Sequence, residues 1–595
     1  MLHLNQNLIL NAILTLKIVP TSSIIITINV QRLDIIELKN VEFISITLNE
    51  DHFIIKNRQY DRNNLEIETE HQMEYHEYPV PYSILKSFKQ SETNKKICYI
   101  KCHNFFNIIV EFYTMGDVIF IQETFESIKT IKKIDQLVNY CLYQHNKMNL
   151  SDLYIGWEED SFYSLKSQYK RMNLPEHLWK ISHLNSDFTL SETYPKYIIV
   201  PARVLDTTVR RCAEFRCKGR LPILTYIFRT KDQYIPICRS SQPKSGFDKR
   251  SLGDELFIKQ ILKTTDSNII NVVDLRPLKN IYFNMAAGKG YEKEKNYKNI
   301  KFSYQNMQNI HVIRNSLKQM MKASKKVVNQ SEFNYNISNS FWLKHILTII
   351  DASKCMAKYV CIQNNPVLSH CSDGWDRTAQ TCSLTQMMLS PHYRTIDGLI
   401  ELIEKDWIHF GHKFRDRCDF LNTKNDEKSP VFLQFIECCW QILSNFPSEF
   451  QYNESFLIRI LDEMFMCRFG TFLSNCIKER KEYFSKKTCM LWPVLLKDKD
   501  KYINKYYLHK IDILPLDSPY QIRYWDTFYN RSEPKKNIEW IRDSLTLNVK
   551  KSTIKKIHDI LSNSQEYISK RFIGPKILEQ DEDIFVDNTS DVVCF

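Results

Sequence analysis

"NNPVLSHCSDGWDRTAQTCSLTQMML", residues 364 to 389, moves from an apolar run to a polar loop and back to an apolar periodic stretch. Pro366, Val367 and Leu368 read as a short strand, and Leu384, Met387 and Met388 recur at helical spacing. The segment between them is therefore a loop that runs into a helix N-terminus, where free N–H groups and the helix dipole attract anions. Gly374 permits a tight turn. A strand, an anion-binding loop and a helix in this order predict an α/β unit.

The loop places Cys371 six residues before Arg377, with Asp373, Gly374, Trp375 and Asp376 between them. A guanidinium can hold a phosphate through two parallel hydrogen bonds. A free thiol is only a few per cent ionised at neutral pH, and making it mostly thiolate takes about 2.7 kcal/mol of preferential stabilisation. Loop N–H groups, the dipole and Arg377 are of the kind that supplies it. The thiolate would attack phosphorus and form a phosphocysteine that water later hydrolyses. An aspartate of the loop would protonate the leaving oxygen and then activate the water. Asp376 is the expected acid, with Asp373 the alternative, and His370 is expected to orient the loop. A bare Cys-x5-Arg spacing is common by chance. The loop composition and the strand–loop–helix context give it its weight.

Working outward, 595 residues are too many for one core, so at least two domains are expected. The composition, 43% hydrophobic and 25% charged, is that of an ordinary globular chain. The net charge of +12 is spread along the sequence. It argues for no nucleic-acid partner and suits an anionic membrane surface. Seventeen cysteines without a dense framework read as reduced thiols of a cytoplasmic protein. Cys98, Cys102 and His103 invite a zinc reading, but no second ligand pair follows, and neither a metal nor another cofactor is expected. The N-terminal apolar stretch is interrupted by asparagines, Lys17 and Pro20, so residues 1–29 read as a leader rather than a membrane span. Glycine is scarce, at 12 residues, and Gly288, Gly290, Gly374 and Gly411 fall in the stretches that carry the chemistry.

Residues 30–145 read as strands closed by a helix. "FISITLNEDHFIIKNR" and "KKICYIKCHNFFNIIVEFYT" alternate apolar and polar residues, and Phe125, Ile128, Ile131, Ile134 and Leu137 follow at helical spacing. The pattern predicts a small β-barrel of the PH type. From 150 to 530, strand-like "ILTYIF" and "NIINVVDL" alternate with long amphipathic helices such as "SFWLKHILTIIDASKCMAKYV" and "SPVFLQFIECCWQILSNF", which predicts an α/β domain. Residues 531–595 are a basic tail with an acidic end and one short apolar stripe.

"HCSDGWDRTAQ" closely resembles the signature of the myotubularin family, cysteine-dependent phosphatases that remove the D3 phosphate from phosphoinositides. "NVVDLRPLKNIYFNMAAGKGYE", "QNIHVIRNSL", "YRTIDGLIELIEKDWIHFGHKFRDRC" and "SPVFLQFIECCWQ" resemble the family's other blocks in the same order. "LSNCIKERKEYFSKKTCMLWPVLL" is similar to the branch of myotubularin-related proteins six, seven and eight. The likeness implies a PH-GRAM-like barrel followed by a PTP-like phosphatase domain of mixed α+β and α/β character. It implies Cys371 as nucleophile and Ser372, Asp373, Gly374, Trp375, Asp376 and Arg377 as the phosphate loop. It further implies substrate contacts at Asn284, Asn309, Ile310, Lys413 and Arg417, the last two reaching other phosphates of the inositol ring. A headgroup with several phosphates leaves charge unpaired in a pocket with one arginine, which agrees with that basic pair.

The resemblance implies action on phosphatidylinositol 3-phosphate and 3,5-bisphosphate at endosomal membranes, bound peripherally. It also implies a homodimer, or a heterodimer with an inactive relative. Two departures stand out: Ser369 occupies an apolar strand position of the family, and Leu278-Lys279 reverses the family's usual order. An inactive scaffold of the same family and a protein phosphatase are the competing readings. Retention of both Cys371 and Arg377 argues against the first, and the acidic loop with its basic pair against the second.

Overall fold

A computed structural model describes residues 26–34, 41–48, 52–59, 75–105, 107–112, 114–128, 134–147, 163–324, 329–421 and 426–531. Most of the expected leader and all but the first residue of the expected tail lie outside these residues. The leader's last four residues do not: the first strand starts at Ile26, ahead of the boundary expected at 30.

Seven strands form the N-terminal sheet: β1 (Ile26–Asp34), β2 (Val41–Leu48), β3 (His52–Gln59), β4 (Tyr75–Pro81), β5 (Leu85–Gln90), β6 (Ile97–Cys102) and β7 (Asn107–Phe112). All pairings are antiparallel, in the order β4-β3-β2-β1-β7-β6-β5. β1 pairs with β2 through Ile26–Asn29 and with β7 from Val30 onward, with a register shift between Val30 and Arg32. A bulge of this kind bends a strand so that it serves two half-sheets. β6 alternates as its sequence implies, with Cys98, Ile100 and Cys102 buried. The expected helical pattern is described as helix in α1 (Met115–Ile128) and α2 (Ile134–Lys147), and Ile131 lies outside the described residues. α1 starts well before the apolar pattern does, because Thr114 and Asp117 form a reciprocal cap: the Asp117 N–H donates to Thr114 Oγ1, and the Thr114 N–H to Asp117 Oδ2.

The second sheet has five strands, β10 (Ile223–Arg229), β11 (Tyr234–Ser241), β12 (Ile270–Asp274), β13 (Ile300–Tyr304) and β14 (Val367–Cys371), after a two-stranded ribbon of β8 (Trp179–Ser182) and β9 (Ile198–Pro201). Its order is β10-β11-β14-β12-β13. Only the β10–β11 hairpin is antiparallel, so β11, β14, β12 and β13 run the same way. β14 lies in the middle with every residue buried. Val367 packs into one hydrophobic cluster and Leu368 into another, as expected for a central strand covered on both faces.

Six helices matter for the site and its support: α3 (Leu278–Ala286), α4 (Ile310–Ala323), α5 (Trp342–Cys361), α6 (Arg377–Leu389), α7 (Phe414–Cys418) and α8 (Val431–Asn445). α6 is buried on all sides from Thr378 to Leu389. Its polar side chains are spoken for: Thr385 Oγ1 donates to the Ser353 carbonyl, Gln386 Nε2 to Asp406, and Ser383 Oγ accepts from Trp407.

The N-terminal sheet shares a core with this unit. Phe105 meets Phe528 and Tyr529 edge-on with ring centroids 5.3 and 5.1 Å apart. The Cys141 thiol donates to the Cys467 carbonyl at 3.1 Å, and Arg531 bridges the Asn104 carbonyl and Asp462. Lys428 Nζ donates to His103 Nε2 at 3.3 Å; burial, then that ammonium, holds the imidazole well below its usual value. Among the described residues no helix is long and apolar enough to cross a membrane.

Candidate active site

β11, β14 and β12 are parallel neighbours, and ligands of open α/β sheets bind beyond the carboxyl ends of such strands. Cys371 is the last residue of β14 and Arg377 the first of α6, so the five residues between them span that edge. The turn requires Gly374: its φ is +80°, and a Cβ there would stand 2.4 Å from the Ser240 carbonyl oxygen. The Gly374 carbonyl points into the protein, where Arg220 Nη2 and Arg239 Nη2 each donate to it at 2.9 Å. The Gly374 N–H, on the preceding peptide, donates to the Cys371 thiol. Arg239 also donates to Asp406 Oδ1 at 2.7 Å, and burial draws Arg220 down to about 10.

Cys371 is 2% exposed and its Sγ accepts two hydrogen bonds of 3.3 Å, from the Gly374 N–H and the Thr378 hydroxyl. Arg377 Nη2 donates to Ser372 Oγ at 3.3 Å and Nη1 to the Met307 carbonyl at 3.2 Å, which holds the guanidinium across the loop. The Ser372 carbonyl accepts from the Gln242 N–H at 3.2 Å, tying the loop to the end of β11.

Asp376 is clamped. Arg417 donates to it through Nε at 3.0 Å and Nη2 at 2.8 Å, and His412 Nδ1 stands 3.2 Å from Oδ1. Burial would raise this carboxyl, but the Arg417 charge and the His412 contact outweigh it and hold Asp376 well below the usual carboxylate range. His412 Nδ1 also lies 2.9 Å from the Trp375 carbonyl, which can only accept, so Nδ1 carries the proton. Lys413 stands over the Trp375 ring at 4.9 Å and within 3.6 Å of Glu427, which also accepts from Arg417 at 3.1 Å. Lys413 and Arg417 therefore reach the loop from α7 and its N-cap, with Arg417 committed to Asp376 rather than facing an open pocket.

His370 Nε2 lies 3.1 Å from Glu292 Oε2, and Glu292 is paired with Arg216, itself forked onto Asp254. Burial would raise Glu292, but His370 and Arg216 hold it low. Asp373 is half-buried in the loop, on the side of Cys217 and Arg220. Ile310 lines a recess with Asp376 and Arg377, and Asn309 caps α4 by accepting from the His311 and Val312 N–H groups. Asn284 sits on α3, which follows β12, and its amide donates to the Asn280 carbonyl at 2.7 Å. The structure thus brings Ser372, Gly374, Trp375, Asp376, Arg377, Lys413, Arg417 and Ile310 around Cys371, with Asn309 at the head of the neighbouring helix and Asn284 further along the same edge.

Four groups escaped the sequence reading: Thr378, His412, Arg220 and Arg239. Thr378 follows Arg377 directly and could have been found from the first-turn geometry of α6. The others approach from distant segments. Among the described residues no group of three or more His, Cys, Asp or Glu side chains could hold a metal ion. Cys98 and Cys102 point into the core of the first sheet, where burial pushes their thiols up to about 11 and about 12.

Fold and site together define an α/β protein with a buried thiol where the central strand turns into a helix. The family described as Myotubularin-like phosphatase domain matches residues 140–481. Phosphatidylinositol-3,5-bisphosphate 3-phosphatase MTMR6 of Homo sapiens is 42% identical over 399 residues, covering 66% of this chain and 63% of that protein. Phosphatidylinositol-3,5-bisphosphate 3-phosphatase MTMR8 of Gallus gallus is 41% identical over 443 residues, 73% and 68% of the two chains. Phosphatidylinositol-3-phosphate phosphatase MTMR7 of Homo sapiens is 42% identical over 407 residues, 66% and 60%. The chain belongs to the myotubularin-like phosphatase family, in the branch of these three relatives, and it spans 60 to 68% of their lengths.

Proposed function

We propose that this chain is a phosphoinositide 3-phosphatase that removes the D3 phosphate of phosphatidylinositol 3-phosphate and 3,5-bisphosphate through a phosphocysteine. The observation that carries the reading is the Cys371 thiol at the end of the central strand, receiving the Gly374 N–H and the Thr378 hydroxyl, with the Arg377 guanidinium bonded to the adjacent Ser372. The names of the relatives supply the lipid class.

In the first step the thiolate sulfur attacks phosphorus and the bond to the inositol C3 oxygen breaks, that oxygen taking a proton from a loop carboxyl. In the second, water attacks phosphorus and gives its proton to the same carboxylate, the sulfur–phosphorus bond breaks, and inorganic phosphate leaves. Asp376 is assigned the carboxyl, with Asp373 the alternative. The clamp on Asp376 is then the resting state. A substrate phosphate that draws Arg417 away removes the cation keeping Asp376 ionised, and the carboxyl can gain the proton the leaving oxygen needs. Lys413 and Arg417 thereby both bind substrate and time the acid. Asn284, Asn309 and Ile310 are assigned further contacts with the headgroup.

The same reading takes the seven-stranded sheet as a PH-GRAM-like domain of residues 30–145 and residues 150–530 as the phosphatase domain. It places the protein in the cytoplasm, peripherally on endosomal membranes, as a homodimer or paired with an inactive relative. The test is phosphate release from short-chain phosphatidylinositol 3-phosphate by wild type and Cys371→Ser with a chelator present. Release by wild type alone is expected. Equal release from both removes Cys371 as nucleophile and the proposal with it.

A further inference from the structure

The loops after β11 and β12 flank the phosphate loop after β14, so all three rise from the same sheet edge. They are also joined to one another. The Gln242 N–H donates to the Ser372 carbonyl, the Gly290 N–H to the Pro243 carbonyl, and Ser245 Oγ to the Tyr291 carbonyl. A Cβ on Gly290 would stand 2.3 Å from Ser245 Oγ, so the two flanking segments pack without a gap.

These segments carry large apolar side chains into solvent. Phe247 is 70% exposed, Leu278 52%, Tyr282 68% and Phe283 77%. Leu278 and Tyr282 are four apart on α3 and share a face, and Phe283, turned about 100° from Tyr282, widens the exposed apolar arc. A buried site usually hides such residues; a cluster beside an active-site mouth marks an interaction surface. Their charged neighbours point to the partner. Residues 244–250 and 278–289 hold five cations, Lys244, Lys249, Arg250, Lys279 and Lys289, against the single acid Asp248. Aromatic rings interleaved with lysines are what a headgroup layer accepts, with the rings among the upper acyl chains and the ammonium groups at the anionic lipids.

We propose that Phe247, Leu278, Tyr282 and Phe283 form a docking surface for an anionic bilayer, which sets the catalytic mouth against the leaflet that carries the substrate. The inference rests on the phosphoinositide reading above and adds to it the surface by which the phosphatase domain itself meets the membrane. Since these residues touch no reacting atom, their loss acts on vesicle-borne substrate and spares substrate that is free in solution.

The test uses the full chain and a Phe247→Ser/Phe283→Ser double variant. Sedimentation on phosphatidylcholine vesicles with and without phosphatidylserine is paired with turnover of short-chain phosphatidylinositol 3-phosphate below its micelle-forming concentration. Each ring removed should lower vesicle affinity about 10-fold, while soluble turnover stays within about 2-fold of wild type. A Lys249→Glu/Lys279→Glu variant should lose the preference for phosphatidylserine. Vesicle binding unchanged in the double variant overturns the proposal. So does a parallel fall of soluble turnover, which would place the rings in the site. A double variant that is monomeric where wild type is dimeric, with unchanged vesicle binding, overturns it in favour of a contact between copies of the chain. Sedimentation requires no catalysis. Ring-dependent binding by a chain that releases no phosphate therefore removes only the catalytic reading, and ring-independent binding by an active chain removes only the docking surface.

Discussion

Replacing Arg417 with Met keeps the length of the side chain and removes its charge. Arg417 and Asp376 are both buried, joined by bonds of 3.0 and 2.8 Å, so the variant strands a buried carboxylate in the loop after β14. Breaking one partner of a buried pair costs about 3–5 kcal/mol. His412 remains 3.2 Å away and relieves part of this, and Glu427 is half in solvent and loses little, so the lower end, about 3 kcal/mol, is expected at pH 7. The pH dependence has a definite sign. Asp376 is held low in the folded wild type, so the stability it contributes is present above the unfolded carboxyl value of about 3.9 and lost as pH falls toward the folded one. Without the cation, burial acts on this carboxyl unopposed by Arg417 and raises it in the folded variant. The variant therefore loses stability as pH rises above about 3.9 while the wild-type contribution is already complete, and the gap between them opens from about 4 to 7. Adding Asp376→Asn to the variant neutralises the stranded group and should recover most of the loss. Urea unfolding of the four proteins of this cycle at pH 4.5 and 7 measures the coupling. A coupling below about 0.5 kcal/mol at pH 7 would refute the claim that Arg417 is what keeps Asp376 ionised.

Thr378→Val removes a hydroxyl from the thiol without changing the size of the side chain, and should slow phosphocysteine formation about 10-fold with little change in KM, read from burst kinetics. Gly374→Ala forces a Cβ against the Ser240 carbonyl at positive φ, and should abolish turnover while lowering stability by at least about 1 kcal/mol by chemical unfolding. Burial pushes Glu437 up to about 7, although Trp342 and Tyr529 donate to it. Wild-type stability should then fall as pH rises from about 4.3, the unfolded carboxyl value, to 7, and Glu437→Gln should flatten that slope.

What the sequence made legible was local. Pro366, the apolar run after it and Gly374 lie within a few residues of Cys371, and together they place a strand, a turn and a helix where the structure has them. "ILTYIF" and "NIINVVDL" are recognisable for the same reason, being β-rich runs on strands covered on both faces. Arg220 and Arg239 were out of reach: they meet the Gly374 carbonyl across 154 and 135 residues, and no periodicity carries such a contact. Arg417 was visible as a cation and readable only as a cation. That it closes on Asp376, 41 residues away, is a property of how α7 packs against the loop. The helical pattern between 125 and 137 is seen on both sides of residues 129–133, which lie outside the described residues.

The seam at Phe105, Asn104 and Arg531 has a consequence for how the chain melts. Arg531 lies near the far end of the described residues, yet it grips Asn104 beside β6 and Asp462 in the helix Glu454–Met466 at once. Cutting the chain near 150 would therefore leave aromatic side chains and a paired carboxylate exposed on the C-terminal half. The two halves are expected to unfold in one cooperative transition, because neither has a complete core without the other. A change in the N-terminal sheet far from Cys371 would then shorten the lifetime of the folded protein without touching the loop that follows β14.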